Sequence, residues 1–302
     1  MTRAPAPFPL DRLADIPERP EDFRLLERIP LTREPQSWPL ELSPMVGDEQ
    51  PMVLLDTETT GLSSDDESII ELGMVKVLYS PSAQRIVSIV DVISLYEDPG
   101  KPIPELITEL TGITDEMVQG QRIDDALVES WLSDDPLVVA HNAQFDRPFF
   151  EKRFAALGHL SWACSASGID WKALGFESRK LEYLLLRLGW FYEGHRAATD
   201  CLAMAWLFHL LPESVANLLS EAGRRTVLVR AFGAPFDVKD YLKERGYRWH
   251  DGVKGANKHW WREISEDELP QEQTYLDDLY HRGSEHAHYD YKDARNRFKA
   301  LS

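Results

Sequence analysis

Cysteine is scarce in this chain: only Cys164 and Cys201 occur among 302 residues. Two isolated thiols exclude a disulfide framework and suit a reducing compartment. Both read as small buried hydrophobes. Basic charge is also short, with 33 Lys and Arg against 51 Asp and Glu and a formal net charge of −18. That deficit excludes a protein that coats duplex nucleic acid through a broad basic face. It leaves room for a protein that meets phosphate through bound divalent cations, because such a site is built from carboxylates. Affinity for a phosphate-bearing substrate would then be local, or supplied by a partner. No run of about 18 apolar residues appears, so a membrane-spanning helix is not expected. Residues 1–10 carry Arg3 but no apolar stretch of a secretory signal. The expectation is a soluble cytoplasmic protein.

Three regions differ in composition. Residues 1–50 are dense in proline, which blocks helix and strand propagation. They read as an extended arm with one short helical candidate at 20–28. Residues 51–222 carry the main domain. Apolar and β-rich runs at 52–55, 69–79, 86–96 and 137–140 predict strands. Helical patterns are expected at 104–110, 124–132, 145–157, 180–188 and 196–211. Strands first and helices interleaved later predict an α/β fold, a mixed sheet flanked by helices. Residues 223–302 read as a small α+β module, with strands at 226–232, 247–250 and 258–264 and helices at 237–245 and 266–280. Its size is near the lower limit for an independent core.

Three short segments carry chemistry. Asp56-Thr57-Glu58 closes an apolar strand, and residues i and i+2 of a strand face the same side. Two like charges there are costly unless a divalent cation compensates. His141-Asn142-Ala143-Gln144-Phe145-Asp146 follows the strand at 137–140. It puts Asp146 in the first turn of a helix, where the macrodipole favours a carboxylate. In His195-Arg196-Ala197-Ala198-Thr199-Asp200, the five-residue separation would splay the two side chains by about 140° on one regular helix. His195 is therefore expected on the entering loop and Asp200 on the helix. A histidine with a reference pKa of about 6.5 can accept a proton from water near neutral pH.

Together these segments resemble the DEDDh exonuclease family, in which an Asp-x-Glu strand, an Asp beyond a His-Asn turn and a closing His-x4-Asp occur in this order. The stretch Leu110-Thr111-Gly112-Ile113-Thr114 is similar to that family's nucleotide-pocket helix. Over about residues 50–300, C-terminal module included, the chain resembles the epsilon-type proofreading subunit of bacterial DNA polymerase III. The resemblance implies a ribonuclease-H-like fold and two Mg²⁺ or Mn²⁺ ions about 3.5–4 Å apart. It assigns Asp56, Glu58 and Asp200 to one ion, Asp56 as a bridge to the second, and Asp146 to that second ion. His195 is the implied general base. Thr57, Thr59, Thr60, Thr111, Asn142 and Phe145 are the implied substrate contacts. The implied product is a nucleoside 5′-monophosphate, released from single-stranded or frayed 3′ ends of DNA, with a DNA polymerase as a possible partner. Two rivals remain open at this point: an exoribonuclease of the same superfamily, and a non-catalytic polymerase-binding module.

In the C-terminal module, Lys239, Lys243, Arg245, Arg248, Lys254 and Lys258 alternate with Tyr247, Trp249, Trp260 and Trp261. Such a pattern can stack bases between cationic contacts, or simply fill a small core. His281, His286 and His288 read as part of a solvated tail.

Overall fold

A computed structural model of the protein describes residues 10–33, 36–252 and 257–300. Lys254 of the basic–aromatic pattern and most of residues 1–10 lie outside them. The chain divides into two compact units, residues 1–221 with 298–302, and residues 222–297.

In the first unit the strands in chain order are β1 (Glu27–Arg28), β2 (Leu40–Glu41), β3 (Gln50–Thr59), β4 (Ile69–Ser80), β5 (Arg85–Tyr96), β6 (Leu137–Ala140), β7 (Trp162–Cys164) and β8 (Trp190–Phe191). Six of them form one sheet in the order β2-β5-β4-β3-β6-β7. β3, β4 and β5 are antiparallel neighbours, whereas β6 and β7 run parallel to β3. This is the mixed, ribonuclease-H-like arrangement expected. Met52, Val53, Leu54 and Leu55 are all fully buried, so β3 is covered on both faces. The helices are α1 (Asp15–Glu18), α2 (Glu105–Thr111), α3 (Asp115–Val118), α4 (Asp125–Leu132), α5 (Ala143–Arg153), α6 (Leu181–Arg187), α7 (Ala197–Leu210) and α8 (Pro212–Gly223). α4 starts where Asp124 accepts the free amides of Ala126 and Leu127. α7 has an apolar body with buried residues around much of its circumference, including Ala197, Cys201, Met204, Leu207 and Phe208. A helix of that composition needs cover on several sides. No single helix among the described residues is long and apolar enough to cross a membrane.

The helix expected over 20–28 does not form. Pro20–Asp22 makes one 3₁₀ turn, and Glu27–Arg28 pairs with β8 instead. Ile29 precedes Pro30, and a residue before proline is pushed out of the helical region. Ile29 and Leu31 are buried, and β2 extends the main sheet. β7, α3 and α8 are also present, none of them expected from the apolar pattern.

The second unit is a four-stranded antiparallel sheet, β9 (Thr226–Ala231), β10 (Arg248–His250), β11 (His259–Ser265) and β12 (Ala287–Lys292), ordered β10-β11-β9-β12. α9 (Lys239–Glu244), α10 (Leu269–Leu279) and α11 (Gly283–His286) accompany it. Val227, Val229, Leu242, Tyr247, Trp260, Ile264 and Leu276 are among its core residues. His281, His286 and His288 are exposed, as expected, but the segment is not a tail: His288 lies in β12 opposite Arg230 and packs on Phe232.

Candidate active site

The site begins with β3. Asp56 and Glu58 share one side of the strand, as their spacing requires. α7 brings Asp200 to them, so that one carboxylate oxygen from each of Asp56, Glu58 and Asp200 lies within 4.8 Å of the others. All three side chains are half-buried, and none of them forms an ion pair among the described residues.

α7 can come this close because β4 carries Gly73, which pairs with Asp56 across the ladder. A Cβ on Gly73 would lie 2.2 Å from the Ala197 carbonyl carbon and 2.3 Å from the Ala198 amide nitrogen. The helix backbone therefore rests directly on the strand. Its first turn is locked by Glu71, which is 1% exposed. Glu71 accepts hydrogen bonds from Arg196 Nε (3.0 Å), the Ala197 amide (3.2 Å) and the Ser94 hydroxyl (2.6 Å). Arg196 also donates to the Tyr96 hydroxyl. Asp200 is oriented by the Tyr192 hydroxyl at 2.9 Å and by the Arg196 amide at 3.1 Å. None of Gly73, Glu71, Tyr192 and Tyr96 stands out in the sequence. The only signal there is local: a glycine and an acid at the apolar start of a strand.

His195 sits on the loop before α7, exposed, with a left-handed φ of 65°. That conformation is uncommon for a residue with a side chain and costs roughly 1–3 kcal/mol, a strain typical of functional positions. Asp146, in the first turn of α5, is 2% exposed. One of its oxygens accepts from the Thr57 amide at 3.1 Å and from the Thr57 hydroxyl at 2.9 Å. It lies outside the close trio but near enough that its charge acts on Asp56.

The implied substrate contacts are placed as follows. Thr57, Thr59, Thr60 and Thr111 are buried. The Thr59 hydroxyl donates to the Gly61 carbonyl, that of Thr60 to Glu67, and that of Thr111 to the Ile107 carbonyl. Their side chains thus shape the local backbone. Asn142 is exposed and Phe145 half-buried against the core, where it packs on Phe149. His141 straps the turn before α5, with Nε2 2.7 Å from the Arg179 carbonyl and Nδ1 2.8 Å from the Ser165 hydroxyl. Nε2 donates to the carbonyl, because a carbonyl oxygen only accepts. Burial pushes the His141 pKa down to about 4.

The carboxylates are all displaced upward. Burial lifts Asp56 well above the ordinary range, and the charges of Asp146, Asp200, Glu58 and Glu71 add to it. Burial, then Asp200, pushes Glu58 up to about 8. Burial raises Asp200 against the Tyr192 and Arg196 hydrogen bonds. It raises Asp146 against those of Thr57. A cluster that resists ionisation when alone, yet consists of oxygen donors converging on one point, fits a hard divalent cation.

The pH dependence follows from the sign of these shifts. Between the ordinary glutamate range and about pH 8, the folded protein holds protons that the unfolded chain releases. Without a cation, stability therefore falls as pH rises through that window, by up to ~1.4 kcal/mol per pH unit for each such group. After chelation the melting temperature should drop between about pH 6 and about pH 8. Millimolar Mg²⁺ or Mn²⁺ should restore it at the higher pH and change it little at the lower. A melting temperature indifferent to cation at both would remove the case for a metal site.

The model of a family described as RNase_T: Exonuclease matches residues 53–208. The DNA polymerase III PolC-type of Bacillus subtilis (strain 168) is 34% identical over 170 residues, 53% of this chain and 11% of that protein. That of Clostridium perfringens (strain 13 / Type A) is 41% identical over 108 residues, 35% of this chain and 7% of that protein. The chain thus spans a small part of the length of these relatives. Among solved structures, Exonuclease X in complex with 5′ overhanging duplex DNA aligns with a TM-score of 0.43 and 21% identity, covering 57% of this chain and 99% of that one.

Proposed function

Because the chain belongs to the RNase_T exonuclease family, we propose that it is a cation-dependent 3′→5′ exonuclease that removes nucleoside 5′-monophosphates from DNA 3′ ends. The observation that carries this reading is the convergence of Asp56, Glu58 and Asp200 within 4.8 Å. Mg²⁺ or Mn²⁺ bound there would lower the pKa of water and neutralise charge on the departing oxygen. Asp56, Glu58 and Asp200 would hold one such ion from two elements, β3 and α7, and Asp146 with Asp56 would hold a second. Asp146 is kept in place by the amide and hydroxyl of Thr57. Tyr192 fixes the rotamer of Asp200. His195, exposed on the loop before α7, accepts the proton that the attacking water gives up. The context we propose is proofreading or repair beside a DNA polymerase, as the names of the polymerase III relatives suggest.

The test is a 5′-labelled single strand of DNA and its RNA counterpart. With Mg²⁺ the DNA should shorten one nucleotide at a time from its 3′ end, and chelation should stop it. With His195→Ala the same ladder should appear about 10²–10⁴-fold more slowly. Equal or faster trimming of the RNA would transfer the activity to the exoribonuclease reading. An intact DNA strand under all conditions would favour the non-catalytic one.

A further inference from the structure

The second unit holds a pocket of about 600 Å³ lined by Ala234, Phe236, Lys239, Lys243, Trp249 and Trp260. That volume is ordinary for a ligand site. Across β10 and β11, Trp249 pairs with Trp260, so both rings lie on one face of the sheet. Trp260 is buried in the core, but Trp249 remains 50% exposed and Phe236 79% exposed. The ring centroids of the two tryptophans are 5.3 Å apart. Lys239 Nζ lies 3.9 Å from the centre of the Phe236 ring and forms no ion pair among the described residues. Among the described residues Lys243 pairs only with Asp240, 4.0 Å away, with both side chains exposed. Two aromatic faces and two ammonium groups thus meet at one opening with no carboxylate among its described lining residues.

Charge distribution gives the pocket its context. Residues 222–297 contain fourteen Lys and Arg and fourteen Asp and Glu, so the entire excess of −18 lies in the rest of the chain. Within 224–262 the ratio is ten basic to four acidic. A polyanion repelled elsewhere by the chain meets its least hostile surface here.

We propose that this pocket is a second nucleic-acid contact, binding single-stranded DNA away from the carboxylate site. One base stacks on Trp249 and Phe236, and adjoining phosphates meet Lys239 and Lys243. The choice of DNA as occupant rests on the exonuclease reading; the aromatic–cationic site itself does not.

The test uses the full chain and a fluorescein-labelled oligothymidylate of about 16 nucleotides, the upper site size of comparable stacking grooves. Chelator is present, so that cleavage is silent. Anisotropy should show Trp249→Ala binding at least about tenfold more weakly, with Trp249→Phe restoring most of the affinity. Lys239→Gln combined with Lys243→Gln should lower the slope of log affinity against log salt by about 1.4, because two phosphates are no longer neutralised. Melting temperatures of the variants identify any that are misfolded. Wild-type affinity in both folded variants, or no binding by the wild type, overturns the proposal; the second result would point to a protein partner for the pocket. Nucleotide release is measured separately. A chain that binds the oligomer through Trp249 but releases no nucleotide would sink the exonuclease reading alone.

Discussion

Gly73→Ala is expected to cut nucleotide release by about 10²-fold or more, although Gly73 touches neither water nor cation. The added methyl group would meet the carbonyl carbon of Ala197 at 2.2 Å and the amide of Ala198 at 2.3 Å. Both are helix backbone, so no side-chain rotation relieves the clash. Either β4 or the first turn of α7 must move. That turn carries Asp200, follows His195 directly, and is tied to Glu71 through Arg196 and Ala197. A displacement of about 1 Å there separates Asp200 from the two carboxylates of β3. Overpacking of this kind also costs typically ~1–3 kcal/mol of stability. A folded Gly73→Ala protein with wild-type turnover would mean that close docking of α7 on β4 does not set the site.

Asp56→Asn is expected to abolish hydrolysis and to stabilise the cation-free protein at the same time. Outer residues around a bound metal are worth about 10–100-fold each, so loss of a central ligand should exceed that. The stability effect has the opposite sign. Asp56 is held up by burial and by the charges of Asp146, Asp200, Glu58 and Glu71. An amide cannot ionise, so that repulsion disappears. Above neutral pH and in chelator, the variant should melt higher than the wild type; with Mg²⁺ the order should shrink or reverse. Equal melting in chelator would mean that the four neighbouring acids do not oppose the charge of Asp56.

These two predictions draw on different parts of what could be read from the chain. The alternation Asp56-Thr57-Glu58 at the end of a buried run was legible because strand geometry alone puts both acids on one side. His195 on a loop and Asp200 on the following helix were legible from a five-residue spacing that no single helix accommodates. The two units' main strands and helices followed from apolar periodicity. Gly73, Glu71 and Tyr192 were not legible. Gly73 matters because a helix more than a hundred residues later rests on it, and Glu71 because its partners are Arg196 and Ala197. Nothing local marks such contacts. The expected helix at 20–28 failed because its far end meets Ile29-Pro30 and pairs with β8. β12 was missed because His288, Asp290 and Lys292 alternate with tyrosines, and such a polar edge strand has little apolar run to detect.

Asp56, Glu58 and Asp200 are proposed to form a divalent-cation site that serves hydrolysis. Counting bound Mn²⁺ by electron paramagnetic resonance, at about pH 8 and with a nucleoside 5′-monophosphate present, addresses that proposal directly. The expected result is two ions in the wild type and at most one, weakly held, in Asp56→Asn. The same Mn²⁺ isotherm for both proteins would contradict it.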